Sequence, residues 1–447
     1  MTQSIFIEPL TRIEGHAKLN VQFDDNGVFE RVLFQSYEPP RGFERIFVGM
    51  PGEEVPRMAS KICGICSSAY NVVAAEAIEK CWEVEPPEDA KKLRELMLLS
   101  NLLQSHTLHF AMLAMPDFIS RVPSEKNIVG LLAKDPEVVH SSVKLRAIGQ
   151  EITEIIGGRR IHAATVVPGG NTKPLRKEEI YKIHSRLDEA NILLETLKDR
   201  AFRLLESNKS LFEGFGKIKS GFLCLKQKKY LTLMNDTLEL ARVDGRVETM
   251  KPEFYSRSIK EHVVNYSFTK LPYLDEVGKD EIIRVGPLAR INRAGWNNPQ
   301  LRKFDEVFPR PSQSTFAYNI ARIVELEECL KRMQNIIDGG IGTHTKDAVK
   351  PKAGHGAGIV EAPRGILYHH YATDRRGIVT EATIIAPTTQ NALAIEKSAD
   401  AAARERLAGK FYSEVTREDT DSIEMVVRAY DPCVSCSVHL ARINKEV

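Results

Sequence analysis

The sequence predicts an α+β fold that is mostly helical, with long central helices forming a bundle, a small N-terminal β region and mixed peripheral segments. Three observations predict it. Alternating apolar residues broken by the turn Asp24-Asp25-Asn26-Gly27 open the chain, a strong hairpin signal. Long stretches of helical apolar spacing follow, opened by proline or closed by glycine. Between them, residues 208–310 offer only short strand-like and loop-like pieces.

Residues 4–36 read as strands: Ile5 to Ile7 is a short apolar run, and KLNVQF and VFERVLFQ flank the turn. After Pro39-Pro40 the spacing becomes helical, and Cys66 to Lys80 forms the first clear helix. Pro86-Pro87 then opens a helix predicted from Glu88 to about Met115. Leu96, Leu99, Leu103, His106 and Phe110 share one face, widened by Leu98, Leu102 and Leu113, so this helix is expected near the centre. Further helices are predicted over 136–156, stopped by Gly157-Gly158, over 176–207 at the surface, and over 315–337 before Gly339-Gly340. Residues 350–366 (KPKAGHGAGIVEAPRGI) read as a glycine-rich loop. It is a poor phosphate loop, because no G-K-[ST] closes it. Strands over ILYHHYA and GIVTEATII and a helix over 390–407 follow. No repeat or low-complexity tract interrupts this order. One large fold is expected: β region 1–40, helical core 60–210 and 315–410, and a C-terminal segment 411–439 with a tail at 440–447.

Composition narrows the function. With 43% hydrophobic and 27% charged residues the chain is of ordinary globular type, and a net charge of +2 gives no case for nucleic acid or an anionic membrane. No apolar run approaches a membrane span. The opening MTQSIFIEPL lacks a basic region and an apolar export core, which points to the cytoplasm. Seven cysteines make a poor disulfide framework. Four of them form two pairs, Cys63-Gly64-Ile65-Cys66 and Cys433-Val434-Ser435-Cys436. Two intervening residues let both thiolates of a pair reach one metal, and two pairs supply four soft ligands. On chemistry alone, zinc or iron–sulfur comes first, and a lone C-x-x-C is equally a redox pair. The remaining cysteines read as buried, inert thiols.

The company of the two pairs is more specific. RIEGH (12–16), RGFE (41–44), GGRRIH (157–162), EAPRG (361–365) and PTTQN (387–391) stand in order with DPCVSCSVH (431–439). As a set they resemble the large subunit of nickel–iron hydrogenases, from Arg12 to His439. Gln104 to His106 and the SVH ending look most like the soluble, cytoplasmic, cofactor-coupled branch that includes methanogen non-deazaflavin-reducing and sulfhydrogenase types.

That resemblance implies a nickel–iron centre with carbon monoxide and cyanide on the iron. Cys63 and Cys433 would be terminal nickel ligands, and Cys66 and Cys436 the bridges. Glu14 would relay protons, Arg364 would project over the metals paired with Asp431, and Thr388 would contact a cyanide. Glu44, a backbone carbonyl near Ile384, and His439 would hold magnesium. Partners implied are an iron–sulfur small subunit, further electron-transfer subunits, a maturation endopeptidase that removes 440–447, and H2 as substrate. The chain departs from the family pattern at Lys61, Tyr70, Ser105 and Ala163, where arginine, histidine, aspartate and proline are common. His106 and His109, three apart on an apolar helix, read as satisfied core histidines. Two rivals stand beside this reading: a non-catalytic hydrogenase-like electron-transfer scaffold, and a structural four-cysteine zinc protein.

Overall fold

The computed structural model describes residues 3–120, 122–227, 231–274, 281–294 and 299–438. Strands β1 (Gln3–Ile7), β2 (Ala17–Phe23) and β3 (Phe29–Ser36) form an antiparallel sheet in the order β1-β2-β3. The predicted turn joins the last two, with Asp24 Oδ1 accepting from the Asn26 and Val28 amides. Apolar side chains on the inner face (Leu19, Val21, Phe23, Val32 and Phe34) are fully buried and join the main core.

The helices that follow are the core. They are α1 (Ser67–Trp82), α2 (Glu88–Leu108), α3 (Pro136–Gly157), α4 (Lys177–Ser207) and α5 (Ala317–Asp338). Helix α2 packs between α3 and α5 with its leucines buried, as its wide apolar face requires. It ends earlier than the sequence predicts. His109–Ala114 widens into a π-helical turn and Met115–Phe118 tightens into a 3-10 turn holding Pro116. Proline cannot supply the amide that a continuing α-helix needs, so hydrogen bonding shifts register ahead of it. Helix α4 buries one stripe and exposes the rest, matching its charged pattern.

Residues 208–310 contain β4 (Gly221–Leu225), β5 (Leu238–Ala241), β6 (Val247–Met250) and β7 (Ile283–Arg284), in one sheet ordered β7-β4-β5-β6. A second antiparallel sheet is built from β8 (Gly354–Ala362), β9 (Gly365–Thr373) and β10 (Val379–Ile385). Strand β8 corrects the sequence expectation of a glycine-rich loop. Its glycines alternate, so Gly354, Gly356 and Gly358 share one face, and that face lies against α1. A Cβ at these positions would stand 2.1, 2.2 and 2.4 Å from the carbonyl oxygens of Cys81, Ala77 and Val73. Those carbonyls are four apart, one row of the helix. Glycine is present because backbone packs on backbone. The opposite face of the sheet carries Ile359, Ile366 and Tyr368 into a smaller apolar cluster with β4 and β5. Helices α6 (Pro387–Arg406) and α7 (Arg417–Ala429) pack on each other and lead to the last cysteines.

Candidate metal centre

Four loops from distant parts of the chain meet at the two cysteine pairs. Cys63 follows a short 3-10 turn and Cys66 stands immediately before α1, whose positive end favours negative charge there. Cys433 and Cys436 flank and enter the short helical turn Val434–Ser437. The pairs are 370 positions apart, yet Cys63 Sγ lies 3.6 Å from Cys433 Sγ and Cys66 Sγ lies 3.5 Å from Cys436 Sγ. All four sulfurs fall within 4.8 Å of one another and are buried. Among the described residues, no other group of three or more His, Cys, Asp or Glu is placed to hold a metal ion.

The first loop to join them carries Glu14. Its backbone pairs with Cys433: the Val434 amide donates to Glu14 O at 2.9 Å and the Glu14 amide to Pro432 O at 3.3 Å. This places Glu14 Oε2 2.9 Å from Cys433 Sγ, while Glu14 Oε1 accepts from the Ser435 hydroxyl. Arg12 fixes the loop by donating to Leu113 O and pairing with Asp117, which also binds Arg428 at 2.7 and 2.8 Å.

The second is the β8–β9 turn carrying Arg364. Its Nε donates to Asp431 O at 2.6 Å and one Nη donates to Asp431 Oδ1 at 2.9 Å. The other Nη and Asp431 Oδ2 are buried with no hydrogen-bond partner among the described residues. Behind the turn, Arg290 donates to Ala362 O at 3.1 Å and to Pro363 O at 3.3 Å while paired with Glu325 and Glu361. Thr388, on the first turn of α6, accepts the Cys433 amide through Oγ1 at 2.9 Å. A small cavity remains between Cys66, Cys433, Cys436, Tyr70, Arg364 and Thr388, walled by Pro363, Leu367 and Pro387.

Electrostatics here favour a cation. Burial pushes the Cys66, Cys433 and Cys436 thiols well above their usual range. Hydrogen bonding from Cys433 and Cys436 holds Cys63 well below it. Burial works against the charge of Arg364, but Asp431 outweighs it and keeps that guanidinium firmly protonated. Burial likewise raises Asp431, opposed by Arg364. Burial thus keeps three of the four sulfurs as neutral thiols, and a bound metal cation would displace those protons and be held by the thiolates it stabilises in a dry site. The soft donor set and the partnerless polar atoms at the cavity wall fit a thiolate-bound metal group that also presents acceptor atoms to the protein.

A family model described as nickel-dependent hydrogenase matches residues 41–138 and 233–439, and one described as HoxL-like matches residues 4–38. The chain belongs to the nickel-dependent hydrogenase family. A vhu subunit of the F420-non-reducing hydrogenase of Methanocaldococcus jannaschii is 40% identical over 90% of this chain and 98% of that protein. A subunit of the F420-non-reducing hydrogenase of Methanothermobacter marburgensis is 34% identical over 97% of this chain and 94% of that protein. The crystal structure of an NAD+-reducing NiFe hydrogenase in the H2-reduced state superposes with a TM-score of 0.89 at 31% identity, covering 98% of this chain and 99% of that one. Membership of the nickel-dependent hydrogenases gives the remaining residues their setting.

Of the residues singled out in the sequence, Glu14, Cys63, Cys66, Arg364, Thr388, Asp431, Cys433 and Cys436 gather at this centre. Glu44 and Ile384 meet each other, the Ile384 amide donating to the Glu44 carboxylate at 2.8 Å. His439 and the tail 440–447 lie outside the described residues. His106 and His109 are buried and bonded, to Glu325 at 2.8 Å and to Arg428 O at 2.7 Å. No helix among the described residues is long and apolar enough to cross a membrane. Two further contacts escape sequence reasoning. Arg41 donates at 2.6 Å to both Ile62 O and Ser435 O, bridging the two cysteine loops, and Ser435 holds Glu14. Arg41 stands in the RGFE motif and Ser435 inside the second C-x-x-C, so position was the only available signal.

Proposed function

We propose that this chain is the catalytic large subunit of a nickel–iron hydrogenase. The reaction is reversible cleavage of H2 into two protons and two electrons, with the electrons leaving through an iron–sulfur small subunit. The observation that carries this reading is the approach of four buried sulfurs from the two ends of the chain within 4.8 Å, with a carboxylate and a guanidinium beside them. When bound, a nickel–iron group with carbon monoxide and cyanide on iron supplies the soft, redox-active Lewis acid at which hydrogen is polarised.

The residues divide the work. Cys63, Cys66, Cys433 and Cys436 would hold the metals. Cys433 Sγ receives a proton and passes it to Glu14 Oε2, which is within hydrogen-bond reach at 2.9 Å. The Ser435 hydroxyl orients that carboxylate. Arg364, held by Asp431 with one Nη left without a partner among the described residues, would donate to an acceptor ligand on the iron, and the Thr388 hydroxyl would serve another. Water is kept out by Pro363, Leu367 and Pro387, which strengthens each of these contacts. Glu44, with Ile384 and His439, is assigned to a magnesium ion. Further electron-transfer subunits, and an endopeptidase acting on 440–447, complete the assembly we propose.

A four-thiolate site also suits structural zinc, which the same experiment separates. The purified complex, examined by metal analysis and infrared spectroscopy, is expected to contain nickel with iron and to show sharp carbon monoxide and cyanide bands. Zinc alone, without those bands, would overturn the reading in favour of a structural site. Absence of any metal would favour the non-catalytic scaffold.

A further inference from the structure

Arg364 is fixed at both ends. Asp431 holds its head through two hydrogen bonds. Its base, the turn between β8 and β9, is gripped from behind by Arg290, on the short helix Pro287–Arg293. Arg290 and its partners Glu325 and Glu361 are all fully buried. Glu325 accepts from Nε at 2.6 Å and from one Nη at 2.7 Å, and Glu361 accepts from the other Nη at 2.7 Å. Each Nη donates once more, to Ala362 O at 3.1 Å and to Pro363 O at 3.3 Å. All five N–H groups of the guanidinium are thereby engaged. The two carboxylates are anchored in turn. Glu325 is bonded to His106 Nε2 at 2.8 Å, and Glu361 accepts the Leu225 amide at 2.8 Å. The frame around Arg290 therefore reaches α2, α5, β4 and β8. Backbone meets backbone where the short helix begins, because a Cβ at Gly286 would stand 2.5 Å from Arg364 O.

We propose that Arg290 is a positioning residue for the reaction: its planar fork fixes the carbonyls of Ala362 and Pro363, and so sets where the Arg364 guanidinium stands at the metal group. The inference rests on the nickel–iron assignment of the four cysteines. Arg290 does not line the cavity, so it acts only through the turn. Stability alone is a weak reason for such a group, because the cost of removing three charges from water offsets much of their attraction. What the arrangement does supply is geometry. A guanidinium holds its donors in a rigid plane, so two neighbouring carbonyls and two carboxylates are set in one fixed relation. A donor that must meet one acceptor atom needs that precision at its base as well as at its head.

The test is infrared spectroscopy and metal analysis of the purified complex carrying Arg290→Lys. Lysine keeps the positive charge between the carboxylates, but its ammonium has three N–H groups and no planar fork, so the grip on the turn is lost. Nickel content is expected to match wild type, while one cyanide band shifts and broadens as Arg364 ceases to meet its acceptor in a single position. A second comparison is made in an Arg364→Lys background, where adding Arg290→Lys is expected to cause no further shift. Wild-type bands in loaded Arg290→Lys would overturn the Arg290 assignment. A further shift in the double variant would overturn it too, because Arg290 would then act by a route other than Arg364. If Arg290→Lys loads no metal, Glu361→Gln takes its place: it leaves the Glu325 pairing intact and turns an amide N–H toward either Arg290 or the Leu225 amide. The same outcomes decide. Absence of carbon monoxide and cyanide bands from wild type would instead overturn the metal assignment on which the inference rests.

Discussion

Glu14 Oε2 lies 2.9 Å from Cys433 Sγ, although 419 positions separate the two residues in the chain. Backbone pairing between the two segments fixes this contact, so it does not depend on side-chain chance. Glu14→Gln keeps the shape and removes the proton-accepting oxygen. Exchange between H2 and solvent deuterons, followed by mass spectrometry, is expected to slow by about a hundredfold or more with metal content retained. Exchange at the wild-type rate would rule Glu14 out as the relay.

Cys433 is the sulfur that touches both Cys63 and Glu14. Serine there is a harder and far less acidic ligand. Cys433→Ser is expected to abolish hydrogen uptake, and undiminished activity would refute the assignment of this cysteine as a terminal ligand.

Arg41 joins the two cysteine loops through carbonyls on each. Charged hydrogen bonds of this kind contribute about 1.5–3 kcal/mol, less at an exposed position. Arg41→Ala is therefore expected to release nickel faster into a chelator while global thermal stability falls only slightly. Equal release rates in the two proteins would show that the bridge is decorative.

The glycine face of β8 offers a stability test. At Gly358 a Cβ would stand 2.4 Å from Val73 O and 2.8 Å from Ala77 N, so α1 would have to shift. Gly358→Ala is expected to destabilise the chain by about 1–3 kcal/mol in denaturant titration. Because α1 begins next to Cys66, metal loading should fall as well. A fully stable, fully loaded variant would contradict packing of backbone on backbone at this face.

His106 predicts a pH effect. Burial lowers its pKa from 6.5 to about 4, and its partner Glu325 stays ionised through Arg290. The folded pKa is below the unfolded one, so the neutral ring stabilises the fold fully above about pH 6.5. That contribution is lost as pH falls toward 4, a change of roughly 3 kcal/mol by linkage. His106→Gln can still donate to Glu325 but does not titrate. Its stability is expected to fall less steeply between pH 6.5 and 4; equal slopes would remove His106 as a cause.

The helices, the hairpin and both cysteine pairs were legible because each is written in local periodicity or spacing. Strand β8 was not. Glycine is poor in strands, and nothing local shows that α1 presses on alternate positions. Its two-residue glycine period was the available clue. The end of α2 was misread because Pro116 alters hydrogen bonding several residues ahead of itself. At the centre, residue identities came from motif resemblance, whereas the roles of Arg41 and Ser435 depend on contacts across hundreds of positions. No window on the sequence reports such contacts.

The span of 370 positions between the cysteine pairs has a consequence for biosynthesis. A ribosome adding about 5–20 residues each second needs roughly 20–70 s to travel from Cys66 to Cys436. For nearly all of that interval the nascent chain holds only two of the four sulfurs of the centre. Any ion captured then would be bound by an incomplete cage, so correct loading must wait until the final helical turn has been translated and docked.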